Sequence, residues 1–231
     1  MINITLANHT FRIDNRFSLV ENLCHDYVTN HQAETTILIT DTELLAESTD
    51  GKEWSSAYLE SLAVYRKICE YLIDYNIILF HCSALKMDGK AYLFTAPSGT
   101  GKSTHARLWR EYFGERVVMI NDDKPLVEIK DGRAIVYGTP YGGKGEIQTN
   151  TYAEVAGIVI LSQAKENKIT RLSEHEAYPI LLNQSYRPKN IVKTFHVMEL
   201  VQKLAQIPMF SLECNISNEA VITAFNKLKN L

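Results

Sequence analysis

The residues with the clearest chemical potential lie together in the segment APSGTGKST, residues 96–104. Glycines at 99 and 101 let the backbone curl so that successive N–H groups face inward, and a helix starting near Lys102 would aim its positive dipole end at the same point. Pro97, Ser98, Gly99, Thr100, Gly101, Lys102, Ser103 and Thr104 are the candidate nucleotide-binding residues on this reading. Lys102 would reach the terminal phosphates of a nucleoside triphosphate as a point charge, and the Ser103 hydroxyl would ligate the Mg2+ that bridges them. The phosphate-loop pattern G-x-x-x-x-G-K-[ST] is broken at its first position by Ala96, which requires a loop start with negative φ or a wider turn. A bare Gly-Lys-Ser triplet is common; an apolar strand before it and an amphipathic helix after it are what a phosphate-binding loop requires.

Nineteen residues past Ser103, the apolar run Val117–Ile120 leads into Asn121, Asp122 and Asp123. Ligands gather at the C-terminal ends of strands in open sheets, so one carboxylate there can hold a metal while the other approaches an acceptor hydroxyl. The bland alternative is a surface Asn-Asp-Asp turn. His81 ends the apolar stretch Ile77–Phe80 and would stand near the loop through the strand pairing described next, although a buried, satisfied histidine is the more frequent outcome for a lone one. His105 could face either way, and His9, His25, His31, His175 and His196 form no metal-ligand spacing.

These groups need a scaffold. Ile77–Leu85 is one apolar run, Asp88-Gly89 is a hairpin turn, and Lys90–Thr95 returns as the strand entering the loop. Ala106, Leu108, Trp109 and Phe113 then recur at helical spacing up to a stop at Gly114. Leu126–Lys130 and Ala134–Tyr137 flank an Asp131-Gly132 turn, and the glycine-rich stretch GTPYGGKGE, 138–146, precedes a buried strand over Gly157–Leu161. Helices are expected over roughly 174–184, 190–205 and 218–229, with a strand near Met209–Glu213. Toward the N-terminus, Asn3–Leu6, Thr10–Ile13 and Thr35–Thr40 read as strands. Ser18 and Glu21 form a potential capping box, Gly51 breaks the chain, and a long helix spans about Ser55–Tyr75. The expected fold is therefore α/β (α+β), with a mixed, strand-rich central sheet carrying a P-loop and flanking helices. Residues 1–75 would form an N-terminal α/β lobe packed on a catalytic core of residues 76–231.

At 231 residues with 45% hydrophobic and 22% charged content, the chain can bury a sizeable core unaided, which excludes disordered and low-complexity readings. Lys plus Arg number 24 against 27 Asp plus Glu, a net charge of −3, so nucleic acid is not expected as a partner. No apolar run approaches membrane-span length and the N-terminus has no signal-like pattern, so a cytoplasmic protein without membrane contact is expected. Cys24, Cys69, Cys82 and Cys214 lack C-x-x-C pairing and read as small core residues.

Taken together, His81-Cys82-Ser83-Ala84, then SGTGKST, then Asn121-Asp122-Asp123 resemble the nucleotide site shared by ATP-dependent phosphoenolpyruvate carboxykinases and bacterial HPr kinase/phosphorylases. The likeness covers about residues 78–130 and agrees in order and spacing. It implies a phosphoenolpyruvate-carboxykinase/HPr-kinase-like core with ATP and Mg2+ as cofactors. It also implies Lys102 on the phosphates, Ser103 and the Asp122/Asp123 pair around the metal, and His81 as a metal-site residue among the catalytic groups. By the kinase branch of the resemblance, Asp122 is the base on a seryl hydroxyl and Asp123 the metal partner. Two departures matter: Thr104 follows Ser103 where those kinases carry an acidic residue, and GTPYGGKGE lacks their phosphorylase signature. The chain is also too short for a carboxykinase and has no arginine-rich segment for a dicarboxylate.

The expected function is thus ATP- and Mg2+-dependent transfer of the γ-phosphoryl group to a hydroxyl, with serine of a protein or peptide as the first choice of acceptor. Lys144 in the glycine-rich stretch, as part of an acceptor-side lid, and Arg187 are further candidates; the bland readings are a solvated lysine and a surface arginine. Two other functions share every nucleotide-side residue: a small-molecule kinase acting on a serine-like alcohol, and a nucleotide-binding regulator without phosphotransfer.

Overall fold

The computed structural model describes residues 1–48 and 53–231, so the expected break at Gly51 lies outside the described residues. These residues form two compact units, Met1–Tyr75 and Asn76–Leu231.

In the first unit, β1 (Ile2–Leu6) and β2 (His9–Asp14) form an antiparallel hairpin, and β3 (Thr35–Leu38) pairs parallel to β2. Ala7 and Asn8 both take positive φ, as a two-residue turn matched to strand twist requires. Helices α1 (Ser18–Leu23), α2 (Asp41–Leu45) and α3 (Ser56–Leu72) complete the unit. The capping box expected at Ser18 and Glu21 does not form. Phe17 is the N-cap, and the buried Glu60 of α3 accepts from the backbone N–H groups of Arg16 (2.7 Å) and Phe17 (3.1 Å). Glu21 instead binds Asn15 and the N-terminal ammonium. A tertiary carboxylate has displaced the local cap because it satisfies two donors at once.

The second unit is a mixed α/β body with a strand-rich sheet and flanking helices. Its elements are β4 (Ile77–Leu79), β5 (Ser83–Met87), β6 (Lys90–Thr95), α4 (Lys102–Phe113), β7 (Val117–Asn121), β8 (Leu126–Lys130), β9 (Arg133–Tyr137), β10 (Tyr152–Gln163), β11 (Lys168–Arg171), α5 (Glu174–Gln184), α6 (Ile191–Leu204), β12 (Met209–Cys214) and α7 (Asn218–Leu228). Strand order is β4-β8-β9-β10-β6-β5-β7, with β12 also on β10 and β11 on β12. The apolar run Ile77–Leu85 is not one strand. It breaks at Phe80-His81-Cys82, so that β4 pairs with β8 while β5 pairs with β6 and β7. The strand hairpinned to β6 is therefore Ser83–Met87, not the stretch ending at Phe80. Both turn residues, Asp88 and Gly89, have positive φ, as do Asp131 and Gly132 between β8 and β9.

β10 runs parallel to both β6 and β12, and β7 shares the direction of β6 because each is antiparallel to β5 between them. The C-terminal ends of β6, β7, β10 and β12, and the start of β5, consequently meet at one edge of the sheet. Trp109, Phe94, Phe210, Leu85 and Leu212 are fully buried in the core on which α4 and α7 pack. Burying each such side chain contributes about 1.5–3 kcal/mol, which anchors α4 beneath that edge. Among the described residues, no helix is long and apolar enough to cross a membrane.

Candidate active site

The chain leaves β6 through the fully buried Ala96, which does not take positive φ, so alanine is tolerated where the motif has glycine. Thr100 N–H turns back to the Pro97 carbonyl (3.3 Å), and Gly99 (φ +81°) and Gly101 (φ +119°) supply the left-handed residues. An ideal Cβ at either glycine would meet nothing within 4 Å, so conformation rather than crowding selects glycine there. The first intrahelical bond of α4 runs from His105 N–H to Gly101 O (2.9 Å). The N–H groups of Lys102, Ser103 and Thr104 thus lack acceptors within the helix and form its positive end. Lys102 is buried, its Nζ donating to the Ala96 carbonyl at 2.9 Å. Burial pulls its ammonium below the usual lysine value, and the nearby Asp123 and Asp122 charges hold back part of that fall.

The acid pair follows the buried Asn121 at the end of β7. Asn121 Oδ1 accepts from the N–H groups of Asp123 (2.9 Å) and Lys124 (2.7 Å), while its Nδ2 donates to the carbonyl and hydroxyl oxygens of Thr139, both at 3.1 Å. Asn121 is therefore the brace of the turn, not a bystander in a surface loop. Asp122 Oδ1 accepts from the buried Ser83 hydroxyl at 2.6 Å, and Asp123 Oδ1 lies 2.5 Å from His81 Nε2. Burial pushes the Asp123 carboxyl up, but the His81 hydrogen bond and the charges of Lys124 and Lys102 outweigh it and hold it below its ordinary value. His81 is fixed from behind, its N–H on the Gln184 carbonyl (2.7 Å) and its own carbonyl accepting from Thr95 Oγ1 (2.9 Å).

A cleft of about 670 Å³ brings these groups together: Ser98, Gly99, Gly101, Lys102, Ser103 and Thr104 from the loop and helix start, Asp122 and Asp123 after β7, and His81 before β5. Thr100 lines a second cleft of about 540 Å³ on the other side of the loop, beside Leu108, Leu161, Gln163 and Ile216. Pro97 is exposed and lines neither, as is Arg187. His105 faces inward, with its Nε2 accepting from Trp109 Nε1 at 3.0 Å. Lys144 lines the first cleft, but the glycines around it are not those of a loose lid. A Cβ at Gly138 would collide with the Thr149 carbonyl, one at Gly142 with the Gln148 side chain, and one at Gly143 with Asp123 Cβ at 2.8 Å. They permit close packing of the 143–149 segment onto the acid turn, where Asp122 N–H also donates to Ile147 O (3.2 Å).

Three contributors escaped the sequence reading. Ser83 stands in the resemblance motif without a role of its own, while Arg107 and Arg110, both lining the first cleft, follow Ser103 at the four- and three-residue steps of one helix face. That periodicity was the signal available. Chemically, the arrangement combines a helix start with N–H groups free of intrahelical acceptors, a buried ammonium, two carboxylates with different partners and a histidine, all around one cleft.

No family model matches the chain, and no curated protein matches it. Among solved structures, the chain shows a distant likeness to the HPr(Ser) kinase/phosphatase from Coxiella burnetii. The two share 12% identity at a TM-score of 0.39, over 66% of this chain and 97% of that one.

Proposed function

We propose that Asn76–Leu231 works as a P-loop kinase core of the HPr-kinase-like kind, transferring the γ-phosphoryl group of ATP to a hydroxyl, with serine of a protein or peptide as acceptor. The observation that carries this reading is the convergence of Lys102, Ser103, Asp122 and Asp123 on one cleft from the ends of β6 and β7. The residues fit the groups they would hold. Gly99 and Gly101 keep the inside of the loop open, the first-turn amides of α4 offer donors to an anion, and the carboxylates and Ser103 are hard oxygen ligands of the type Mg2+ takes.

Bound Mg2+ would neutralise charge developing on the phosphate oxygens. The loop amides and Lys102 would orient the triphosphate, Ser103 and Asp123 would hold the metal, and His81 would position Asp123. Asp122, oriented through Ser83, would accept the acceptor's proton as its oxygen bonds to the γ-phosphorus and the bond to the bridging oxygen breaks, releasing ADP. The second cleft, with Leu108, Leu161 and Ile216 as apolar lining, supports a place for the nucleoside.

The test is incubation with γ-labelled ATP, Mg2+ and serine-containing peptides or small alcohols, comparing wild type, Lys102→Ala and Asp122→Asn. Label reaches an acceptor with the wild type, and each variant slows transfer by about a hundredfold or more. Equal labelling by all three proteins overturns the assignment. Tight ATP binding without any labelled acceptor replaces it with the regulator reading.

A further inference from the structure

Resting on the kinase reading, we propose that the acceptor side of the cleft selects a carboxylate carried close to the hydroxyl, through a cationic wall formed by Arg110, Arg107 and Lys144. Arg107 and Arg110 continue the α4 face that begins at Ser103, and Lys144 stands on the short turn Gly143–Gly145; all three line the same cleft as Asp122 and Asp123. Arg107 and Arg110 lie four and seven positions beyond Ser103, about 6 and 10 Å along the helix axis, so they line the cleft away from the phosphate loop. The adjacent α4 face, with His105 and Leu108, borders the second cleft instead, and Thr104 lines both. The loop lies between the two clefts. With the nucleoside in the second cleft and the triphosphate at Lys102 and Ser103, the part of the first cleft beyond the loop is left for the acceptor.

The wall is not accounted for by internal pairing. Among the described residues, Arg110 and Lys144 make no ion pair, and Arg110 Nε is buried without a hydrogen-bond partner. A buried N–H without a partner is destabilising, so internal packing alone does not account for an arginine at this position. Arg107 bridges only to Glu111, at 2.6 Å and with both side chains half exposed, a pair of the kind that contributes little and exchanges readily. The concentration of positive charge is local, since the whole chain carries a net charge of −3. A planar guanidinium offers paired donors matched to a carboxylate, and placed here it would also counter the repulsion between an acidic acceptor and Asp122. The carboxylate can belong to an acidic residue flanking a peptide serine or to a free hydroxy amino acid.

The experiment measures binding of three probes to the full chain in the presence of Mg2+ and a non-hydrolysable ATP analogue. They are a serine peptide flanked by Asp and Glu, the same peptide with Asn and Gln, and free L-serine. The acidic peptide, L-serine or both bind at least about tenfold tighter than the neutral peptide, and Arg110→Gln and Lys144→Gln each weaken that binding about tenfold. The choice between peptide and L-serine identifies the source of the carboxylate. Affinity for the ATP analogue is measured on the same variants, with thermal denaturation to establish folding; Lys144→Gln, on an exposed turn, guards against misfolding of the helix variant.

Equal binding of all three probes overturns the proposal. So does a parallel loss of analogue and acceptor affinity in the variants, which would assign the cations to the triphosphate. A γ-label transfer assay run alongside separates the two readings. Acidic preference in binding without label transfer removes the kinase activity and keeps the carboxylate site, whereas transfer to acidic and neutral peptides alike keeps the kinase and removes the site.

Discussion

His81 Nε2 lies 2.5 Å from Asp123 Oδ1, joining the break between β4 and β5 to the turn after β7 across forty-two positions of sequence. This contact helps hold the Asp123 carboxyl below its ordinary value of 3.8, against the opposing effect of burial. A carboxylate depressed in the folded state contributes stability that is present above its unfolded pKa and is lost as pH falls through the folded one. Wild type is therefore expected to melt above Asp123→Asn at pH 7, with the gap closing below pH 3.8. Thermal denaturation from pH 7 to pH 3 checks this, and parallel curves for the two proteins would contradict it.

His105 gives a second pH dependence in a different window. Burial pushes its imidazole down to about 4 from 6.5, and its Nε2 must stay unprotonated to accept from Trp109. The unfolded chain then binds the proton first as pH falls, so stability present above pH 6.5 declines toward pH 4 by about 3 kcal/mol. His105→Gln keeps an acceptor for Trp109 without the titration. Its melting temperature is expected to change less over that interval than the wild type's.

Ser83 acts, on this geometry, through Asp122. Ser83→Ala removes the hydroxyl donor at 2.6 Å and is expected to slow phosphoryl transfer about tenfold by loosening the carboxylate. In the Asp122→Asn background the same change should have almost no further effect. Additive losses in single-turnover assays would show that Ser83 works by another route.

Gly143 and Gly99 both have positive φ, +75° and +81°, but only Gly143 also faces a neighbour, Asp123 Cβ, where its own Cβ would stand. Gly143→Ala is expected to destabilise by about 2 kcal/mol, combining backbone strain with displacement of the acid turn, and Gly99→Ala by about 1 kcal/mol. Chemical denaturation of the two variants measures the difference. A smaller loss at Gly143 than at Gly99 would show that the acid turn yields easily.

The β6–α4 passage was legible because each local signal agrees: an apolar strand, glycines where φ must be positive, and an amphipathic helix ending at Gly114. Hairpins at Asp88-Gly89 and Asp131-Gly132 were legible for the same reason. What sequence could not carry was partner exchange. The run Ile77–Leu85 is apolar throughout, yet Phe80 bridges to Ser185 and His81 N–H turns to Gln184, so the strand ends for reasons more than a hundred residues away. β11, polar and four residues long, left no periodicity to detect.

At the site, Lys102, Ser103, Asp122 and Asp123 stand out by type and spacing and His81 only through the resemblance, and one cleft is lined by all five. The supporting roles of Ser83, Asn121 and Thr139 are not legible, because they act through contacts between distant segments. The glycines of 138–146 illustrate the opposite error. Composition suggested mobility, whereas these residues are small because other atoms press against them.

β6 lies between β5, its neighbour in sequence, and β10, where Lys90 meets Glu154. During synthesis the β5–β6 hairpin and α4 leave the ribosome well before β10 exists, so one side of β6 waits as an unpaired ribbon of buried-type residues. A fragment ending between α4 and β10 would keep the whole glycine loop and still fail as a minimal nucleotide-binding module. It would expose an adhesive border and accumulate in inclusion bodies.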